Sequence, residues 1–226
     1  MAARNPIDPV WAVELADEAA TDDFARLVSR LVRPGMLVTL SGDLGAGKTT
    51  FARALIRRLA GDPALEVPSP TFTLMQIYEA PNFPIVHADL YRLRDPGELA
   101  ELGWEEAGEG ALLLVEWAER AGDALPPDRL EVAFALAPDL GPTHRRAALF
   151  GYGALADLVA RERAIAELLE RSGWAEARRI FMLGDASTRA YERLVKPSGE
   201  HAILMISPPR PDGPPVRYGK PYSAIA

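Results

Sequence analysis

The chain has 226 residues, 48% of them hydrophobic, and a formal net charge of −7, so it can build a sizeable core but is a poor stand-alone binder of nucleic acid, whose affinity comes mostly from neutralised phosphates. It has no cysteine, which excludes disulfides, thiolate zinc sites and cysteine nucleophiles and is compatible with a reducing cytosol. No apolar run approaches the length of a membrane span and residues 1–8 lack the apolar core of a signal peptide, so a cytoplasmic protein without a membrane role is expected.

In chain order, residues 11–15 alternate in polarity and read as a short strand. Thr21, Asp22 and Asp23 read as a helix start, with Thr21 as N-cap and a nucleotide contact there as the alternative. Phe24, Leu27, Val28 and Leu31 then form an apolar stripe that Pro34 and Gly35 end. Residues 36–40 form an apolar, β-branched run suited to a buried strand. The spacing of Phe51, Leu55 and Leu59 predicts a helix that starts near Lys48. Pro68 and Pro70 fix an extended loop before a strand over 73–78. Residues 83–89 read as a strand ending in Asp89, residues 96–102 as a short helix, and residues 111–115 as a fully apolar central strand ending in Glu116 and Trp117. After a break at Pro126 and Pro127, residues 130–136 and 145–150 read as two further strands. Strands alternating with helices predict an α/β sandwich around a mostly parallel central sheet.

Composition shifts near Gly151, which divides the chain into an expected domain over 1–150 and a second piece over 151–226. In the second piece, residues 154–169 read as a helix, and strands are expected before Leu183, over 191–195 and over 202–206. Prolines and glycines dominate from Ser207 on.

The turn between the second strand and its helix reads Gly42, Asp43, Leu44, Gly45, Ala46, Gly47, Lys48, Thr49, with Thr50 following. It matches the phosphate-binding pattern G-x-x-x-x-G-K-[ST] at every fixed position, in the strand–turn–helix context that pattern requires. The glycines let the backbone approach phosphates. Successive N–H groups make an anion nest, and the helix adds the positive end of its dipole. Lys48 supplies a point charge for the β- and γ-phosphates and Thr49 a hydroxyl for Mg²⁺. The chain has only three lysines, Lys48, Lys196 and Lys220, and among the first 195 residues arginine carries positive charge everywhere except position 48. Arginine's planar fork does not replace a compact ammonium.

Hydrolysis or transfer needs a cation held from a second side and an oriented nucleophile. In open α/β sheets ligands bind beyond the C-terminal strand ends, where Asp89 and Glu116 both fall. The plain alternatives are an exposed strand-end carboxylate for Glu116, and a helix cap or an ion pair with Arg92 for Asp89. His87, a lone histidine within a strand, reads more readily as packed than as catalytic. Arg92 could reach either a γ-phosphate or Asp89. A small-molecule kinase would carry an arginine-rich lid, for which Arg92 and Arg94 are too few; a GTPase would carry an Asn-Lys-x-Asp type signature, which the chain lacks. A non-catalytic nucleotide-binding adaptor is left as a further alternative.

Several stretches together resemble one family: the loop over 42–51, Ser69-Pro70-Thr71-Phe72-Thr73-Leu74, His87-Ala88-Asp89-Leu90-Tyr91-Arg92-Leu93, Glu101-Leu102-Gly103, and Val115-Glu116-Trp117-Ala118-Glu119-Arg120. In order and spacing they are similar to the TsaE family, the small bacterial ATPase subunit of tRNA threonylcarbamoyladenosine biosynthesis, over about residues 10–150. The resemblance implies Mg²⁺-dependent ATP hydrolysis, weak without partners, in support of a transferase that modifies adenosine 37 of tRNA. The partners it implies are of the TsaD and TsaB type, and tRNA would be met only through them. It also implies Thr49 and Glu116 as magnesium ligands, Asp89 as an assistant of hydrolysis alongside Lys48, residues 69–72 as a nucleotide-responsive switch, and Trp117 near the site. Ala118 stands where proline is common in the family. The tail, with Trp174, the run 184–194 and Ala202-Ile203-Leu204-Met205, resembles the start of an aminoglycoside-phosphotransferase-like kinase of the cell-wall amino-sugar type, with Gly184 to Ser187 as a turn over ATP phosphates. On that resemblance the catalytic and metal-binding aspartates would lie beyond Ala226. The strand over 202–206 has no lysine, so the fragment is expected to be inactive alone and less well ordered than the first 150 residues.

Overall fold

The computed structural model describes residues 11–101, 103–182 and 189–207. It divides into two compact units, Met1–Ala164 and Ile165–Ala226, the first with two apolar clusters and the second with a third.

The first unit runs β1 (Trp11–Leu15), α1 (Glu18–Ser29), β2 (Leu37–Ser41), α2 (Lys48–Ala60), β3 (Met75–Tyr78), β4 (Ile85–Asp89), α3 (Glu98–Glu101), α4 (Trp104–Gly108), β5 (Leu112–Glu116), β6 (Arg129–Leu136) and β7 (Arg145–Tyr152), with a 3-10 segment over Ala118–Ala124. The seven strands lie in the order β1-β7-β6-β2-β5-β4-β3. The four central strands β6, β2, β5 and β4 are parallel, and both edges add antiparallel strands. All residues of β4 and β5 are buried, as parallel strands covered on both faces require. One face packs Val38, Leu40, Leu114 and Leu130 against Phe24 and Val28 of α1 and Phe51, Leu55 and Ile56 of α2. The other packs Leu37, Val86, Leu113 and Val115 against Leu99, Trp104 and Ala121.

Two elements depart from the local sequence signal. Helix α1 begins one turn before Thr21: Asp17 is the N-cap, its Oδ1 accepting from the Ala20 N–H at 2.8 Å. The Thr21 hydroxyl instead donates to the Asp17 carbonyl at 3.1 Å. Asp17 with Glu18 in the first turn is the better capping signal, and Thr21-Asp22-Asp23 masked it. The second difference is α4, which has no strong periodicity in the sequence. It forms because Gly103, at φ 68°, turns the chain so that Trp104 is buried in the second cluster.

In the second unit, β8 (Arg178–Met182), β9 (Ala190–Val195) and β10 (His201–Ile206) form an antiparallel meander, β10-β9-β8. Leu194 and Leu204 pack with Ile165, Leu169 and Ala177. The division between units falls inside α5 (Ala156–Arg171), at Ala164 and Ile165. The turn expected over Gly184 to Ser187 lies outside the described residues.

Candidate nucleotide site

Parallel register brings the site together. Leu40 at the end of β2 lies opposite Glu116 of β5, and Glu116 lies opposite Asp89 of β4, so three strand ends reach the same level beside the turn that follows β2. In that turn Gly42, Gly45 and Gly47 have φ of 130°, 76° and 108°. A Cβ at Gly42 would come within 2.3 Å of the Phe134 carbonyl oxygen, so backbone crowding from β6 as well as conformation demands glycine there. Gly47 caps α2 without a side-chain hydrogen bond, and no acidic residue lies in the first turn, so the helix N-terminus presents its amides to the loop.

Lys48 is buried. Its Nζ donates to the carbonyls of Gly42 at 2.8 Å and Asp43 at 2.9 Å and lies 3.9 Å from the centre of the Trp117 ring. Burial holds its ammonium below the usual 10.5, opposed by the charges of Glu116, Glu119, Asp89 and Asp43. Trp117 occupies the left-handed region at φ 58° and turns the chain out of β5 into the 3-10 segment. Its ring also meets Tyr91, with centroids 5.0 Å apart.

The Thr49 hydroxyl donates to Glu116 Oε2 at 2.9 Å, and Glu116 Oε1 lies 2.9 Å from His87 Nε2. Asp89 is held differently. Its Oδ2 accepts from the hydroxyls of Ser69 at 3.0 Å and Thr71 at 2.7 Å, and its Oδ1 from the Tyr91 N–H at 3.0 Å. Asp89 thus clamps the proline-fixed loop rather than capping a helix. Arg92 stacks its guanidinium 4.3 Å from the centre of the exposed Phe72 ring in that same loop. Asp43 and the exposed Leu44 form the tip of the turn, and Ala46 is buried beneath it.

On the other side of the turn lies a cavity of about 590 Å³, bordered by Asp17 and Thr21 of the first helix region, Gly45, Gly47 and Thr50, and Phe134, Thr143 and Arg145. Arg145 Nη2 donates to the Gly45 carbonyl at 3.4 Å. This wall is invisible in the sequence, because the β6–β7 hairpin reaches it from about 100 residues away in the chain. The contact of His87 with Glu116 was also missed; its only sequence signal is the two-residue spacing of His87 and Asp89 in one strand.

Among the described residues, no group of three or more His, Cys, Asp or Glu side chains is arranged to hold a metal by itself. The Thr49–Glu116 pair therefore fits a cation that takes its other ligands from phosphate and water, as Mg²⁺ does. No helix of the described residues is long and apolar enough to cross a membrane.

An α/β sheet of this order, with a glycine loop leading into a helix and an acid at the next strand's end, defines a P-loop nucleotide-binding protein. Residues 15–144 match the family model for threonylcarbamoyl adenosine biosynthesis protein TsaE. Over 118 residues the chain is 47% identical to the tRNA threonylcarbamoyladenosine biosynthesis protein TsaE of Rickettsia typhi, covering 52% of this chain and 81% of that protein. Over 120 residues it is 40% identical to the protein of the same name from Bacillus subtilis, covering 53% and 73%. The crystal structure of Bacillus subtilis YdiB superposes with a TM-score of 0.54 at 29% identity, covering 72% of this chain and 95% of that one. The chain belongs to the TsaE family.

Proposed function

We propose that this chain is the ATPase subunit of tRNA N6-threonylcarbamoyladenosine formation, hydrolysing Mg-ATP while bound to a partner threonylcarbamoyltransferase of the TsaD and TsaB type. The observation that carries the catalytic part is the 2.9 Å contact of the Thr49 hydroxyl with Glu116 at the rim of the glycine turn. Amides of residues 42–50 and the Lys48 ammonium hold the phosphates, Lys48 exchanging its two carbonyl partners for phosphate oxygens. Thr49 and Glu116 would hold the cation. Bound there, Mg²⁺ neutralises charge that develops on the phosphates. Asp89 would orient the attacking water or complete the cation's outer shell once nucleotide draws the Ser69 and Thr71 hydroxyls away, which would make residues 69–72 the switch. The cavity beside Thr21 and Phe134 receives the base. With a net charge of −7, the chain meets tRNA through its partners, in the cytoplasm. Basal hydrolysis is weak and rises on partner binding.

For the second unit, the helix-then-meander order supports the phosphotransferase-like reading.

The deciding experiment is a reconstituted tRNA threonylcarbamoylation reaction in which this protein is the variable component. Modification should depend on it, and ATP turnover should rise with the partner transferase. In Glu116→Ala, nucleotide binding should persist while cation-dependent turnover is lost. Phosphorylation of a small metabolite by the isolated protein would instead identify a kinase.

A further inference from the structure

The side chain of His87 is fully buried within β4, on the strand next to Glu116. A polar ring buried in a central parallel strand is costly unless its hydrogen bonds are made. His87 makes one, from Nε2 to Glu116 Oε1 at 2.9 Å, and Nδ1 has no partner among the described residues. Facing a carboxylate oxygen, Nε2 serves as the donor. The geometry is diagonal. His87 lies opposite Leu114 and Asp89 opposite Glu116, so the ring sits one rung below the acid on the same face of the sheet.

We infer that His87 is a positioning residue for the acid at the end of β5. Glu116 is held at both oxygens, by His87 at Oε1 and by Thr49 at Oε2. The bond to His87 fixes the carboxylate's rotation about its own stem. Oε2 therefore faces the Thr49 hydroxyl and the space where a phosphate-bound cation would lie, while Oε1 is taken. Without that bond Thr49 alone holds the carboxylate, its rotation is less restricted, and its fit to a cation weakens even though Glu116 itself is intact. Donors behind a metal-binding carboxylate act in this way and typically account for about 10–100-fold in metal affinity. The inference rests on the ATPase reading above and assigns a part to a residue which that reading leaves idle.

The test compares the full chain with His87→Asn and His87→Gln. The glutamine amide reaches the position of Nε2 and can still donate to Glu116. The asparagine amide reaches only the position of Nδ1 and leaves Glu116 without its donor. Mn²⁺ is the probe, its binding in the presence of ADP followed by electron paramagnetic resonance. ADP affinity without cation and the melting temperature are measured alongside. His87→Asn should lower Mn²⁺ affinity by about 10–100-fold with cation-free ADP affinity unchanged, and His87→Gln should restore most of it. Equal losses in both variants that track the melting temperature would reduce His87 to packing and overturn the inference. So would unaltered Mn²⁺ affinity in His87→Asn, or no Mn²⁺ binding by the original chain. If the original chain never hydrolyses ATP, even with partners, but the Mn²⁺ difference appears, the ATPase reading fails and the role of His87 stands. If hydrolysis is present and the difference absent, the reverse holds.

Discussion

Lys48 gives the site a pH dependence whose sign follows from its surroundings. Burial holds its ammonium below 10.5, and nearby acids oppose this only in part. The folded chain therefore releases this proton at lower pH than the unfolded chain does. Folding is penalised while Lys48 is charged, and stability gains as pH rises from the lowered value toward 10.5. Nucleotide affinity should move the opposite way over the same window, because deprotonation removes the ammonium from the phosphates. A titration of ADP binding across that window should show affinity falling as pH rises. Lys48→Ala should abolish this trend and bind ADP about 10- to 100-fold more weakly at pH below that window, the loss of a charged hydrogen bond worth about 1.5–3 kcal/mol, with the difference shrinking as pH rises through it. Affinity unchanged by the substitution would mean that backbone amides alone hold the phosphates. Of the site's residues, Lys48 and Thr49 were evident from the motif. The acids Asp89 and Glu116 stand out as strand ends and through the family resemblance, whereas the His87–Glu116 bond has no such signal, since it depends on which strands become neighbours.

Among the elements, α2 does two jobs, presenting its N-terminus to the phosphate loop and its apolar side to the sheet. Phe51, fully buried in its first turns, stacks with Phe24 of α1 at 5.4 Å and Phe134 of β6 at 5.5 Å. Phe51→Ala should cost about 3–5 kcal/mol in chemical denaturation, because a cavity opens where three elements meet. A loss under 1 kcal/mol would mean that the neighbours collapse into the gap. The loop before β3 is the other element with a testable role. Its fixed shape comes from Pro68 and Pro70, but its docking comes from two hydroxyls on Asp89. A Ser69→Ala, Thr71→Val double variant should speed amide hydrogen exchange over residues 69–74 while leaving that of β5 unchanged. Equal exchange in the variant would show that the prolines alone hold the loop. The loop was legible from its prolines; its anchor was not, because the carboxylate lies 18 and 20 residues further along the chain.

At the scale of the molecule, the two apolar clusters of the first unit and the third cluster, in the second unit, are separate, which implies that the units can respond separately to stress. The composition shift near Gly151 marks the neighbourhood of the division, whereas contacts put it at Ala164 and Ile165, inside α5. A helix carries no composition break where its packing partner changes: Val159 belongs to the first cluster and Ile165 to the third. Limited proteolysis should therefore leave a nucleotide-binding core that ends near Ala164, with ADP slowing its further digestion. Resistance of the whole chain to protease would count against separate behaviour.

What the sequence determined by itself is whatever depends on near neighbours in the chain. The glycine turn with Lys48 and Thr49 was fixed by local spacing, the strands by their apolar runs, and α2 by its period. Tertiary structure alone decided what depends on strand order. That order set Glu116 beside Thr49, put His87 beneath it, and carried the β6–β7 hairpin round to Gly42 and Gly45. The reason is physical: side-chain hydrogen bonds act over about 3 Å, and only the parallel register of β2, β5 and β4 brings groups 29 and 67 residues apart within that reach.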